Sequence, residues 1–362
     1  MKLSKKILIS FTLGLCINPA FADQNFFNAT EISAKKGDMT AQYNLGVMYA
    51  NGQGVTQNYS KAFEWYSRAA AQGDADAQYR LGLMYASGQG VTQNYSKAFE
   101  WYSKAAAQGD ALVQNRLGVM YANGQGVTQN YSKAFEWYNK AAAQGDMTAQ
   151  YNLGKMFEKG LGLSQNDFKA FEWYSRAAAQ GDVDAQNRLG VMYANGQGVA
   201  QNYSKAFEWY GKAAAQGQAD AQHKLAVMYA NGQGVSQNYT KAIEWVSKAA
   251  NQGYAEAQNS FGVEYESGKW VSQNYAKAFE WYSKAAAQGY ASAQYNLGVM
   301  YAKGKGVVRS YEKAFEWYSK AATQGDAQAQ YNLGLMYANG QGVAQNYAKA
   351  FEWFSKAAAQ GD

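Results

Sequence analysis

The sequence predicts an all-α solenoid, a stack of nine helix-turn-helix repeats. Three observations predict it. A glycine recurs at a strict interval of 36 residues, at Gly37, Gly73, Gly109, Gly145, Gly181, Gly217, Gly253, Gly289 and Gly325, and again at Gly361. Each interval holds two stretches whose apolar residues return every three or four positions, the spacing that gathers them on one helical face. A glycine pair such as Gly88 and Gly90 separates the two stretches. A period of this length marks short units that cannot bury their own apolar faces and become stable by stacking on their neighbours. For function this implies an extended binding surface rather than a catalytic pocket.

The first residues read as a secretory signal. Lys2, Lys5 and Lys6 precede the apolar run 7–17, and Ala20-Phe21-Ala22 supplies a small-x-small cleavage site. Residues 1–22 are therefore expected to be removed, leaving Asp23 as the first residue of the mature chain. The run is shorter than the roughly 20 residues that cross a bilayer, and no later apolar segment is long enough. Cleavage removes Cys16 and Pro19, the single cysteine and single proline, so no disulfide, thiol nucleophile or thiolate ligand is expected. Acylation at Cys16 would want a small residue before it, where Leu15 stands. Three of the 33 basic residues go with the leader, and 30 remain against 27 acidic ones, with no Lys/Arg block to track phosphates. The expectation is an exported protein, in the periplasm or beyond, that does not bind nucleic acid.

Residues 23–36 resemble a worn second helix, with Phe27 in register with Phe63, and are expected to cap the first repeat. The nine repeats fill 37–362. In the second copy Ala77, Leu81 and Tyr85 form the stripe of the first helix, Asp74 is placed to cap its start, and Gly82 lets another backbone approach closely. The helix should stop at Gly88-Gln89-Gly90, where positive φ is needed. Asn94 is the expected cap of the second helix, whose apolar face is read as Ala98, Trp101 and Ala105 flanked by Phe99 and Tyr102, ending on Gly109. Every copy has a Glu four residues before a Lys or Arg, from Glu64 and Arg68 to Glu352 and Lys356, each pair worth roughly 0.2–0.5 kcal/mol. The last helix is expected to leave an apolar face with Trp353 and Phe354 open, for self-association or a partner.

The pattern A-x-x-x-LG-x-x-Y, then G-x-GV, then KA-x-x-W-x-x-KAA-x-QG resembles the Sel-1-like repeat, a subfamily of the tetratricopeptide-like helical repeats, over Gly37 to Asp362. The resemblance implies a right-handed α-α superhelix acting as a non-catalytic adaptor or scaffold, with many bacterial members exported and tied to envelope assembly or host contact. Members often carry Pro-x-Asp where this chain has Thr92-Gln93-Asn94. The cysteine-rich branch, linked to penicillin binding and weak β-lactamase activity, has a disulfide in each unit, and this chain has none.

Chemistry is sparse in the sequence. The sole histidine, His223, takes a slot filled by Tyr or Asn in other copies, has no evident nucleophile or orienting carboxylate, and reads most simply as a polar surface substitution. Ser-x-x-Lys occurs at Ser33–Lys36 and Ser310–Lys313 without an accompanying Lys-Thr-Gly or Ser-Asp-Asn. Asn-x-Ser/Thr sequons at Asn28, Asn58, Asn94, Asn130, Asn202 and Asn238 mostly coincide with helix caps. No cofactor or metal is expected.

Alignment with the tetratricopeptide pattern places four first-helix positions of each copy on the concave surface. One row reads Tyr43, Tyr79, Asn115, Tyr151, Asn187, His223, Asn259, Tyr295, Tyr331; a second reads Thr40, Asp76, Leu112, Thr148, Asp184, Asp220, Glu256, Ser292, Gln328. Rows of Tyr and Asn suit an extended protein or peptide partner. Two copies depart strongly from the pattern. The fourth has Lys155, Glu158, Lys159, Leu161, Leu163, Asp167 and Phe168; the seventh has Glu264, Glu266, Lys269 and Trp270. Trp270 replaces a loop glycine and is expected to be an exposed anchor, and Glu158 and Glu266, at one shared position, are expected to face the groove. The sequence thus favours a protein-interaction scaffold, with envelope-glycan recognition and a penicillin-recognising enzyme as alternatives.

Overall fold

A computed structural model describes residues 19–360 and the side chains of 24–360; residues 1–18 of the expected leader lie outside the described residues. The described residues form helices and their connections, with no strand. Contacts divide the chain into two compact units, Met1–Gln165 and Asn166–Asp362.

The first unit contains α1 (Pro19–Lys35) and the hairpins α2 (Met39–Asn51) with α3 (Tyr59–Ala71), α4 (Ala75–Ser87) with α5 (Tyr95–Ala106), and α6 (Ala111–Asn123) with α7 (Tyr131–Ala143), and then α8 (Met147–Lys159). The second begins with α9 (Asp167–Ala179). It continues through α10 (Val183–Asn195) with α11 (Tyr203–Ala215), α12 (Ala219–Asn231) with α13 (Tyr239–Asn251), and α14 (Ala255–Ser267) with α15 (Tyr275–Ala287). The hairpins α16 (Ala291–Lys303) with α17 (Tyr311–Thr323) and α18 (Ala327–Asn339) with α19 (Tyr347–Ala358) complete it. Within each unit every helix packs on the next, an all-α solenoid.

The expected punctuation is present. Asp74 Oδ1 accepts from the Ala77 amide at 2.7 Å and Asn94 Oδ1 from the Lys97 amide at 2.9 Å, each satisfying one orphan donor of a helix start. Gly88 and Gly90 have φ of +77° and +70°, which closes the link between paired helices. The second Ser-x-x-Lys is a cap of the same kind: Ser310 Oγ accepts from the Lys313 amide at 3.2 Å and donates to Glu312 at 2.9 Å. Helix α1 begins at Pro19, so the expected cleavage after Ala22 falls inside it; Phe27 lies edge-on to Tyr49 at 5.6 Å, as Phe63 does to Tyr85 at 5.4 Å. The two pairs share one geometry.

The core differs from the sequence reading in one respect. Tyr102, placed at the flank, is the buried residue, and Trp101 is the marginal one. The reason is Gly82: its bare Cα receives the Tyr102 ring so closely that an added Cβ would lie 2.5 Å from the ring carbons. Trp101 instead carries Lys104 over its face, Nζ 4.2 Å from the centroid, a cation–π contact worth about 0.5–1 kcal/mol at an exposed site. The Glu-to-Lys spacing gives ion pairs at Glu244–Lys248, Glu280–Lys284 and Glu352–Lys356.

A second ordering element is a ladder of buried glutamines. Gln114 donates to the Ala106 carbonyl at 3.3 Å and accepts from Gln144 Nε2 at 2.9 Å, and Gln78 and Gln108 repeat the arrangement one copy earlier. Each ties a helix C-terminus to the following first helix, and thence to the next second helix. Their amides cannot be left unpaired in the core without a penalty of about 1–3 kcal/mol.

Candidate functional site

Most copies start their first helix on a capping Asp, but three successive copies do not. Gln218, Tyr254 and Tyr290 hold the cap positions of α12, α14 and α16, and none caps through its side chain. Losing such a cap typically costs about 1 kcal/mol. Two of these side chains reach back to the preceding copy. Gln218 Nε2 donates to Asp184 Oδ1 at 3.2 Å, and the Tyr254 hydroxyl lies 2.9 Å from Asp220 Oδ1 and 3.0 Å from Glu256 Oε2. Asp220 also accepts from Asn187 Nδ2 at 2.9 Å. Burial and the two neighbouring carboxylates push the Tyr254 phenol well above its ordinary range, so it stays protonated as a donor.

His223 sits one turn further along α12. It is 4% exposed, which corrects the reading of a surface substitution: the slot faces the next helix, and a ring there packs against Tyr254 at 5.8 Å. Its Nε2 meets Ser260 Oγ at 3.1 Å, while Nδ1 has no partner, with Glu256 Oε1 3.9 Å away. Burial holds the imidazole below its ordinary value and Lys224 adds to this, against the pull of Glu256 and Asp220.

Below His223 opens a pocket of about 210 Å³ between α12, α13 and α14. Its apolar wall includes Ala226, Val246 and Trp270; its polar wall includes His223, Asn259 and Glu264; the exposed Val227 and Val263 mark its mouth. Trp270 is half-buried rather than exposed. Its ring stacks on Tyr239 with centroids 5.0 Å apart and planes 20° apart, and its indole Nε1 is buried without a partner. Copies with glycine at this position lay the bare Cα against the backbone of the corresponding tyrosine, as Gly90 does on Tyr59; a tryptophan cannot, so it covers the ring. Glu264 stands where other copies have a core methionine. Burial raises its carboxyl above the usual range despite Lys269, and Oε2 has no partner.

The remaining predicted residues divide between packing and surface. Glu266 is turned to structural use: it accepts from the buried Tyr282 hydroxyl at 2.9 Å and meets Lys305 Nζ at 3.4 Å. Tyr43, Tyr79 and Tyr295 are half-buried, each tilted against the tyrosine that fills its glycine notch, Tyr66, Tyr102 and Tyr318, at 5.8 Å. Tyr331 packs likewise on Phe354 at 5.5 Å yet stays 50% exposed, and Tyr151 and Glu158 are half-buried. Lys155 and Phe168 are exposed. At α19 the expectation is corrected: Trp353 and Phe354 are partly covered by the core of α17 and α18, and the exposed apolar residues are Tyr347 and Phe351, the latter 74% exposed.

The structure therefore brings His223, Glu264 and Trp270 together. Sequence reasoning missed the lost caps and the pair Ala226 and Val246; the signal for both was present, as departures from Asp at the cap and from Gly and Tyr at the notch. Among the described residues no group of three His, Asp, Glu or Cys is placed to hold a metal ion, and no helix is long and apolar enough to cross a membrane.

Helical hairpins repeating on one period, most of them docking a ring into the partner helix's glycine notch, define an α-solenoid repeat protein. The Sel1 repeat model matches the chain nine times, over residues 40–74, 75–110, 111–146, 148–182, 183–218, 219–254, 255–290, 291–326 and 327–362. The chain belongs to the Sel1 repeat family. Among solved structures it is similar to a protective antigen of uropathogenic Escherichia coli strains with an SLR fold, at 38% identity and a TM-score of 0.82, covering 95% of this chain and 73% of that one. It is also similar to a Sel1 repeat protein from Oxalobacter formigenes, at 33% identity and a TM-score of 0.69, covering 91% of this chain and 98% of that one. No curated protein matches the sequence. Sel1 repeat proteins are generally protein-interaction scaffolds.

Proposed function

We propose that this chain is a non-catalytic scaffold, exported to the periplasm or beyond, that holds a partner protein on the starts of α10, α12, α14 and α16. The observation that carries the reading is the loss of three consecutive helix caps. In a chain whose copies otherwise repeat their capping closely, α12, α14 and α16 forgo a stabilising bond, and two of the freed side chains bridge to Asp184 and Asp220 instead. Local rules of stability are broken where function competes with them. The bridged row offers carboxylates, phenols and an amide side by side, a surface suited to the backbone and basic side chains of an extended segment.

Export is supported by the leader-like residues 1–22 and by the similarity to an antigen described as protective. Tyr331 and Phe168 are exposed positions of the same unit that a long partner would also meet.

The test restores the caps. Gln218→Asp with Tyr254→Asp should restore two cap bonds, each worth about 1 kcal/mol, at the loss of the Tyr254 contacts with Asp220, Glu256 and His223, while lowering recovery of the partner in affinity capture from envelope and culture-medium fractions, read by mass spectrometry. Partner recovery equal to that of the unaltered chain would refute the placement of the surface.

A further inference from the structure

The pocket between α12, α13 and α14 has a sequence origin. In the copies around it the tyrosine of the second helix lies on the glycine of the first: an added Cβ on Gly190 would be 2.5 Å from the Tyr210 ring, and one on Gly262 would be 2.7 Å from the Tyr282 ring. In the sixth copy both partners change together. Glycine becomes Ala226 and tyrosine becomes Val246, so one methyl group is added and a whole phenol ring is removed. The added methyl fills only part of what the ring leaves. The remaining volume of about 210 Å³ exceeds the roughly 150 Å³ of an engineered apolar cavity that accepts benzene.

The wall is equipped as well as empty. A core methionine is replaced by Glu264 and a loop glycine by Trp270, and the two substitutions leave a carboxyl oxygen and an indole N–H buried without partners at the same pocket. His223, nearly fully buried, closes the polar side of the same lining, its Nε2 held on Ser260 at 3.1 Å. Native structures leave few such atoms unpaired, and two on one pocket are unusual. A hydroxyl is a simple group that can donate to a carboxylate while accepting from an indole N–H. The apolar remainder, Ala226, Val246 and Val263, matches the faces of a ring.

We infer that this pocket binds a single hydroxyl-bearing aromatic ring, a phenol-type ligand that takes the place of the missing tyrosine side chain, its hydroxyl directed to Glu264 and Trp270. The ring can belong to a free small phenol or to a tyrosine side chain of a bound protein. In the latter case the pocket would anchor the partner of the proposed scaffold function, and the test is independent of that partner's identity.

The experiment titrates the full chain with p-cresol, toluene and N-acetyl-L-tyrosinamide, following ligand NMR saturation transfer and calorimetry. Saturable p-cresol binding is expected, with toluene at least about tenfold weaker because the hydroxyl contacts are lost. Binding of the tyrosine amide assigns the pocket to a peptide side chain, and binding of p-cresol without it assigns a free phenol; both support the inference. The double variant Ala226→Gly/Val246→Tyr reinstates the pair found in neighbouring copies, is expected to fold at least as stably, and should abolish p-cresol binding. Glu264→Met should bring p-cresol down to the affinity of toluene. No saturable p-cresol binding, binding undiminished in the refilled double variant, or toluene binding as tightly as p-cresol would each overturn the inference.

Discussion

The glycine–tyrosine notch makes a quantitative prediction at Gly118 and Tyr138. An added Cβ at Gly118 would lie 2.6 Å from both Cδ1 and Cε1 of Tyr138 and 3.2 Å from Cγ. Ordinary carbon contacts are about 3.5–4.0 Å, so the ring would have to retreat by about 1 Å into a filled core. Overpacking of that kind costs about 1–3 kcal/mol, while the better helix propensity of alanine returns about 1 kcal/mol. Gly118→Ala alone should therefore destabilise by up to about 2 kcal/mol. Tyr138→Val alone should cost about 2–4 kcal/mol by emptying the notch. Together they should cost less than their sum by about 1–3 kcal/mol, since the valine removes the ring that the methyl strikes. The sixth copy carries this pair naturally, as Ala226 and Val246. Hydrogen exchange of the amides of α6 and α7 in the four proteins measures the local opening free energy, which suits a repeat chain that need not unfold in one step. Additivity within about 0.5 kcal/mol would refute the notch as the coupling element.

Gln114→Leu should cost about 1–2 kcal/mol, because it removes the hydrogen bonds to the Ala106 carbonyl and from Gln144; thermal unfolding reads it, and an unchanged midpoint would show that the ladder does not stabilise the stack. Glu266→Ala should destabilise by a similar amount, about 1–3 kcal/mol, by unpairing Tyr282 and Lys305, with Glu266→Gln milder since an amide oxygen still accepts from the phenol. His223 should titrate below 6.5, its ordinary value, in an NMR pH series. Its folded form resists the proton that the unfolded chain accepts, so its contribution is fully present above 6.5, is lost as the pH falls from there toward the folded value, and is flat below that. His223→Asn should lessen that dependence; an imidazole titrating at or above its ordinary value would contradict the burial.

Period and capping made the fold readable, since Asp74, Asn94 and the glycine pair each do one local job that sequence spacing reports directly. What lay beyond reach was decided by pairs distant in sequence. Whether Trp101 or Tyr102 is buried depends on which one meets Gly82, twenty positions or so before them on the partner helix, and helical periodicity admits both. Trp270 looked like an exposed anchor because a loop glycine predicts an open position; the ring of Tyr239, brought beside it by stacking, was not in the pattern. The burial of His223 depends on Ser260 and on the space at Val246, both on other helices, and one substitution in a row of Tyr and Asn does not report it.

On the proposed function the partner sits on the starts of the first helices from α10 to α16. Hydrogen exchange of the captured complex against the free chain tests it most directly. The account predicts slowed exchange concentrated at the starts of α10, α12, α14 and α16, centred on Asp184, Gln218, Tyr254 and Tyr290. Slowed exchange confined to the second helices, or to α2–α7, with the starts of those four helices unchanged, would contradict it.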